Sequence, residues 1–73
     1  MPQYDITERD KDVLLFIQSF IYEHQYSPSI NEICKGVFLS KPVVRKHLLR
    51  LVEHGYLSIT PKTARSIVVK IAI

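Results

Sequence analysis

The hydrophobic period of this chain changes once, at Gly55, and that change limits the fold more than any other feature. Before it, apolar residues recur at helical spacing in three separate runs. After it, Leu57 and Ile59 alternate with Ser58 and Thr60, as in a half-buried strand. Each helical run opens on a hydroxyl residue suited to a helix N-cap: Thr7, Ser29 and Ser40.

The first helix is expected over about Glu8 to His24, with Asp10 completing a capping box on Thr7. Val13, Leu14, Ile17, Phe20 and Ile21 form its core stripe. Gln25-Tyr26-Ser27-Pro28 ends it, because a residue before proline avoids helical geometry. Ser29 opens the second helix with Glu32 in the reciprocal position, and Ile30, Ile33, Cys34 and Val37 fall on one face up to about Phe38. Ser40 caps the third helix, which runs to His54. Pro42 lies in its first turn, where a missing N–H does little harm. Val44, Leu48 and Leu51 share its inner face with His47 beside them, and Gly55 stops it in a left-handed C-cap. Pro61 to Arg65 then reads as a turn before the β-branched stretch Ser66 to Ile71. Leu57, Ile59, Ile67, Val69 and Ile71 are expected to face the helices. The fold class is therefore α+β: three helices followed by a β-hairpin wing, a winged helix-turn-helix in one domain spanning residues 1–73.

Size narrows the functions open to such a chain. A domain of 73 residues buries only about 60% of the surface its unfolded chain exposes. Its 47% of apolar residues fill one core and leave no room for a large catalytic cleft. Cys34 is the only cysteine, so no intramolecular disulfide forms; it reads as a small core hydrophobe in a protein of the reducing cytoplasm. No apolar run approaches the roughly 20 residues that cross a bilayer. Met1 to Asp5 shows no signal segment, so no membrane partner is expected. His24, His47, His54 and Cys34 lack zinc-ligand spacing. With no glycine-rich phosphate loop and no nucleophile–base arrangement either, neither an enzyme nor a metal or other cofactor is expected.

Charge is distributed unevenly. Residues 1–32 hold six acids against two cations, and residues 33–73 hold eight cations against Glu53 alone, net −4 and +7. Such asymmetry suits a polyanion partner at one end of the fold, although a solvated basic face has the same composition. On the third helix, at about 100° per residue, Pro42, Arg45, Lys46, Leu49, Arg50 and Glu53 point away from the core. Three cations on that face, followed by a basic hairpin, favour DNA.

The stretch from Ser40 to Leu57 resembles the recognition helix of bacterial winged-helix regulators. Ile6-Thr-Glu-Arg-Asp-Lys-Asp-Val-Leu14, Tyr26-Ser-Pro-Ser-Ile30, Glu32-Ile33 and Arg65-Ser66-Ile67 are similar to the DNA-binding domain of LexA-type repressors. Two departures stand out. Nothing in the chain encodes the second, self-cleaving domain of those repressors, so a stand-alone domain or a fragment is expected. The turn between helices two and three lacks the usual glycine, with Phe38 near that place and Gly36 earlier, and the segment is one residue shorter.

The resemblance implies that Ser40, Pro42, Val43, Arg45 and Lys46 face DNA. Arg or Lys can donate to guanine O6 and N7, and Val43 can pack on a thymine methyl. Ser29 and Ser40 start helices whose free N–H groups suit phosphate oxygens. Lys35, Lys41 and Arg50 read as phosphate contacts, and Lys62 and Arg65 as wing cations beside the groove. The expected function is sequence-specific binding of double-stranded DNA, with repression as its outcome. The rival is a protein-interaction winged helix, an antirepressor or an assembly subunit. Single-stranded binding is disfavoured because aromatics do not interleave with the basic residues. Leu15 and Tyr22, seven apart on the outer face of the first helix, are candidate homodimer contacts.

Overall fold

The three N-cap residues found in the sequence each begin a helix in the computed structural model, which describes residues 6–73. Met1 to Asp5, read above for a signal segment, lie outside the described residues. The elements run α1 (Glu8–His24), α2 (Ile30–Val37), α3 (Lys41–Glu53), β1 (Leu57–Ser58) and β2 (Val68–Val69).

Both expected capping boxes form. The Thr7 hydroxyl accepts from the Asp10 N–H while the Asp10 carboxylate accepts from the Thr7 N–H, and Ser29 and Glu32 repeat the exchange on α2. Ser40 differs: its backbone is extended as an N-cap requires, but its side chain makes no cap hydrogen bond. Position three of α3 is Val43, which has no carboxylate to return.

Helix ends depend on left-handed residues. Gln25 takes φ 65° and donates its N–H to Ile21, so α1 stops three residues before Pro28, and the cause of termination is this cap rather than the proline. Phe38 ends α2 with φ 58°, adopting the conformation usually left to glycine. At the end of α3, Gly55 takes φ 83°. Its N–H bonds to Val52 and that of Tyr56 to Leu51, the paired bonds of a Schellman motif.

Val13, Leu14 and Ile17 of α1, Ile33 of α2, Val44, Leu48 and Leu51 of α3, and Leu57 and Ile67 of the hairpin form one buried cluster. Truncating any of the fully buried members to alanine typically costs about 2–5 kcal/mol for Leu or Ile. Helix α1 packs on both α2 and α3, and β1 leans on α3.

The hairpin is shorter than its alternation suggests. Only Leu57 with Val69 and Ser58 with Val68 pair, antiparallel. Side chains replace the rest of the ladder: Ser66 Oγ accepts from the Thr60 N–H and donates to the Thr60 carbonyl. Beyond β2 the chain peels away, because the Lys70 and Ile71 N–H groups both turn to the Tyr56 carbonyl. Ile71 is consequently 49% exposed rather than in the core. No helix among the described residues is long and apolar enough to cross a membrane.

Candidate nucleic-acid interface

Helix α3 carries its polar face outward because Val44, Leu48 and Leu51 are buried inward at successive turns. Lys41, Pro42, Val43, Arg45, Lys46 and Leu49 are exposed on the other sides. Among the described residues Lys41, Arg45 and Lys46 form no ion pair, and neither do Lys35 on α2 or Lys62 in the wing turn. The start of α3 adds two backbone donors, at Lys41 and Val43, that no side chain caps. Positive charge and free N–H groups thus coincide at one helix end, an arrangement that attracts anions.

A cleft of about 280 Å³ opens between this helix end, the start of α2 and the wing, lined by Ser29, Asn31, Lys41, Arg45, Thr63 and Arg65 among others. The fold therefore gathers four of the sequence-derived residues, Ser29, Lys41, Arg45 and Arg65, around one concavity. Lys35 lies apart, in the last turn of α2.

Three of the residues expected at DNA have partners within the chain. Arg65 is the first. Its guanidinium folds back onto Glu32, at 2.8 and 3.3 Å, donates to the Ser27 carbonyl at 3.1 Å and lies 4.8 Å from the centre of the Tyr26 ring. This pairing raises the Arg65 pKa, chiefly through the hydrogen bond to Glu32. The wing cation that stays unpaired is Lys62, in left-handed backbone at φ 59°.

Ser29 is the second: its N–H donates to the Glu32 carboxylate. The Ser29 N–H first, and Arg65 next, hold the Glu32 pKa down at about 2.

Arg50 is the third. Its Nε lies 3.1 Å from a carboxylate oxygen of the fully buried Asp10, an ion pair that ties α3 to α1. The other Asp10 oxygen meets His47 Nδ1, which must carry a proton to donate to it. Burial pushes the Asp10 pKa up. The Thr7 N–H, His47 and the Thr7 hydroxyl outweigh that, and the net pKa lies below the ordinary aspartate value.

Sequence reasoning missed these long-range partners. Asp10 and Glu32 were legible as capping residues, but their second partners lie 37 and 33 residues away. Asn31, exposed in the cleft beside Ser29, also went unnoticed and carries no pattern signal. Leu15 and Tyr22 are exposed as expected, Tyr22 to 83%, yet they border different grooves on either side of Ser19. No group of three metal-ligating side chains occurs among the described residues.

Three helices, a two-stranded hairpin and a cationic α3 flanked by the wing define a winged helix-turn-helix domain. The family model of the LexA DNA binding domain matches residues 3–66, and the chain belongs to that family. It is 43% identical over 63 residues to the LexA repressor of Thermosipho africanus, covering 86% of this chain and 32% of the relative. Similar matches are the LexA repressors of Carboxydothermus hydrogenoformans, 38% identical, and of Bacillus mycoides, 41% identical, each covering 85% of this chain and 31% of the relative. The chain spans about a third of the length of these curated relatives.

Proposed function

We propose that residues 1–73 act as one sequence-specific, double-stranded-DNA-binding domain that represses transcription in the cytoplasm. The observation that carries this reading is the uncapped start of α3 surrounded by unpaired Lys41, Arg45 and Lys46. In this reading α3 enters the major groove, with Arg45 and Lys46 donating to guanine edges and Val43 and Pro42 making apolar contacts. Ser40, Lys41 and Lys35 meet phosphates, and Lys62 reaches the flanking backbone. Arg50, Ser29 and Arg65 hold the elements that present those groups. The name shared by the relatives supports repression as the outcome, and binding to two half-sites by a homodimer is part of the same proposal.

Selection of bound sites from a random duplex library, followed by titration of the selected site, tests the proposal. Arg45→Ala or Lys46→Ala is expected to cost about 1–3 kcal/mol on the selected site and less on random duplex. Equal losses on both would demote the residue to a phosphate contact. A library that yields no enriched site would overturn sequence-specific binding.

A further inference from the structure

Helices α1 and α2 each send a carboxylate to an arginine of a distant element, but the two arginines are held by different edges. Arg65 uses the tip of its guanidinium. Nη1 and Nη2 reach the two Glu32 oxygens at 2.8 and 3.3 Å, and Nη1 also donates to the Ser27 carbonyl. Arg50 is held from the side. Its Nε is the nitrogen beside Asp10, at 3.1 Å, and among the described residues neither of its Nη nitrogens makes a hydrogen bond. The two side chains are almost equally exposed, 42% for Arg65 and 44% for Arg50, so the difference lies in which donors are already used. An arginine held at Nε keeps the paired N–H groups of its tip, the pair that matches two oxygens of a phosphate.

Position on α3 points the same way. Arg50 stands one turn beyond Lys46 and about 40° round the helix from it, towards the side that meets α1. A residue on the flank of a helix seated in a groove looks at the sugar–phosphate wall, where contacts position a protein without reading sequence. Asp10 can fix the arginine there because it is itself fixed. It has no exposed surface, accepts from the Thr7 N–H at 2.9 Å and meets His47 through its other oxygen.

We propose that Asp10 is a positioning residue for DNA: by holding Nε it sets Arg50 on the α1 flank of α3 with both Nη groups presented to one backbone phosphate. The proposal rests on the major-groove reading above and adds a phosphate contact to the tie that Arg50 makes between α1 and α3. Asp10, fully buried, touches no DNA itself. Its contribution is to order a long side chain before binding, so that this cost is not met when DNA arrives.

Duplex titrations of the whole chain at several salt concentrations test the proposal, at a temperature where thermal unfolding shows every variant folded. Arg50→Ala is expected to lower the slope of log K against log salt by roughly 0.9, one phosphate's worth, on selected and random duplex alike. Loss of a helix tie alone would cost stability and affinity and leave the number of neutralised phosphates unchanged. Asp10→Asn keeps an acceptor for the Thr7 N–H and removes the charge. It is expected to weaken binding about two- to tenfold, the cost of ordering one long side chain, with the wild-type slope retained. In the Arg50→Ala background that loss should vanish. Arg50→Lys, which keeps the charge without the fork, should retain the slope at lower affinity. A wild-type slope in Arg50→Ala overturns the proposal, and so does an Asp10→Asn loss that persists without Arg50. The major-groove reading survives either result if Arg45→Ala and Lys46→Ala still cost more on the selected site than on random duplex. A wild-type chain that binds no duplex overturns both.

Discussion

Helices α1 and α2 start closed, and α3 starts open. Thr7 with Asp10 and Ser29 with Glu32 each return a carboxylate to the cap, whereas Ser40 faces Val43 and its hydroxyl makes no cap bond. Both closing carboxylates then take a second cation from a distant element: Asp10 binds His47 and Arg50 of α3, and Glu32 binds Arg65 of the wing. The same four-residue motif thus fastens α3 to α1 and the wing to α2. The starts left closed are the scaffold, and the one left open presents unpaired positive groups. Burial separates the two closed starts. Asp10 has no exposed surface, while the Glu32 and Arg65 side chains are about two-fifths exposed.

Removing the buried carboxylate is the harshest way to break this comparison. Asp10→Ala deletes a cap partner and leaves His47 and Arg50 without their anion, for an expected loss of about 3 kcal/mol. The loss falls low in the range for broken buried pairs because Arg50 remains partly in solvent. Urea unfolding at neutral pH measures it. The folded-state pKa of Asp10 lies below the ordinary aspartate value of 3.8, so its contribution is complete above that pH and lost as pH falls through the folded value. Asp10→Ala should therefore also remove part of the acid sensitivity of the wild type. A loss as small as that of a surface cation pair would mean that the two closed starts are equivalent after all.

Closing the third start sharpens the comparison from the other side. Val43→Glu places a carboxylate three residues after Ser40, completing the motif that α3 lacks. Stability is expected to rise by about 0.5–1 kcal/mol from the cap and the helix dipole. Affinity for duplex DNA is expected to fall about tenfold, because the completed box engages the Ser40 hydroxyl with the position-three N–H and the new carboxylate repels phosphate. Thermal unfolding and duplex titration on the same preparation give both numbers. Higher stability with unchanged affinity would show that the open start of α3 is not what meets DNA.

How far the sequence carries such an argument depends on the reach of each interaction. Local terms were legible: the caps at Thr7 and Ser29, the apolar stripes of the three helices, and the glycine stop at Gly55 all act within a turn or two. Position on α3 was legible too, since a buried Val44–Leu48–Leu51 stripe fixes what faces outward. The availability of each outward cation was not. Arg50 and Arg65 sit among basic neighbours in sequence, and only folding brings Asp10 and Glu32 to them. Helical periodicity identifies a charged face without identifying which charges are already answered. The hairpin was over-read for a related reason: β-branched residues from Ser66 to Ile71 favour strand, but the Tyr56 carbonyl draws the Lys70 and Ile71 N–H groups out of the ladder. Phe38 was the least legible residue, because left-handed backbone at a bulky side chain runs against propensity.

The wing tests that distinction directly. If Lys62 is the cation that meets the backbone, Lys62→Ala should lower the slope of log K against log salt by roughly 0.9, one phosphate's worth. Arg65→Ala should change that slope by less, since its guanidinium is committed to Glu32 and Ser27. Titrations of one duplex at several salt concentrations compare them. A full phosphate's loss for Arg65 with none for Lys62 would mean that the arginine leaves its clamp when DNA arrives.

The smallest effect expected is on Glu32 itself. Its carboxyl titrates at about 2 instead of 4.5, held down first by the Ser29 N–H and second by the Arg65 hydrogen bond. A depressed carboxylate contributes stability that is complete above the unfolded value of 4.5 and lost as pH falls towards 2. Carboxyl-carbon NMR can follow Glu32 directly through that window. In the wild type the midpoint should lie near 2, and Arg65→Ala should raise it only part of the way to 4.5, because the cap donor remains. Ser29→Pro, which deletes the N–H, should raise it further than Arg65→Ala does. The exposed pair contributes little once solvent screens it, so thermal midpoints at neutral pH should barely move in Arg65→Ala. If the arginine substitution alone returned Glu32 to 4.5, the wing clamp rather than the cap would govern this carboxylate. The closed start of α2 would then depend on the wing, unlike the start of α1, whose carboxylate is buried.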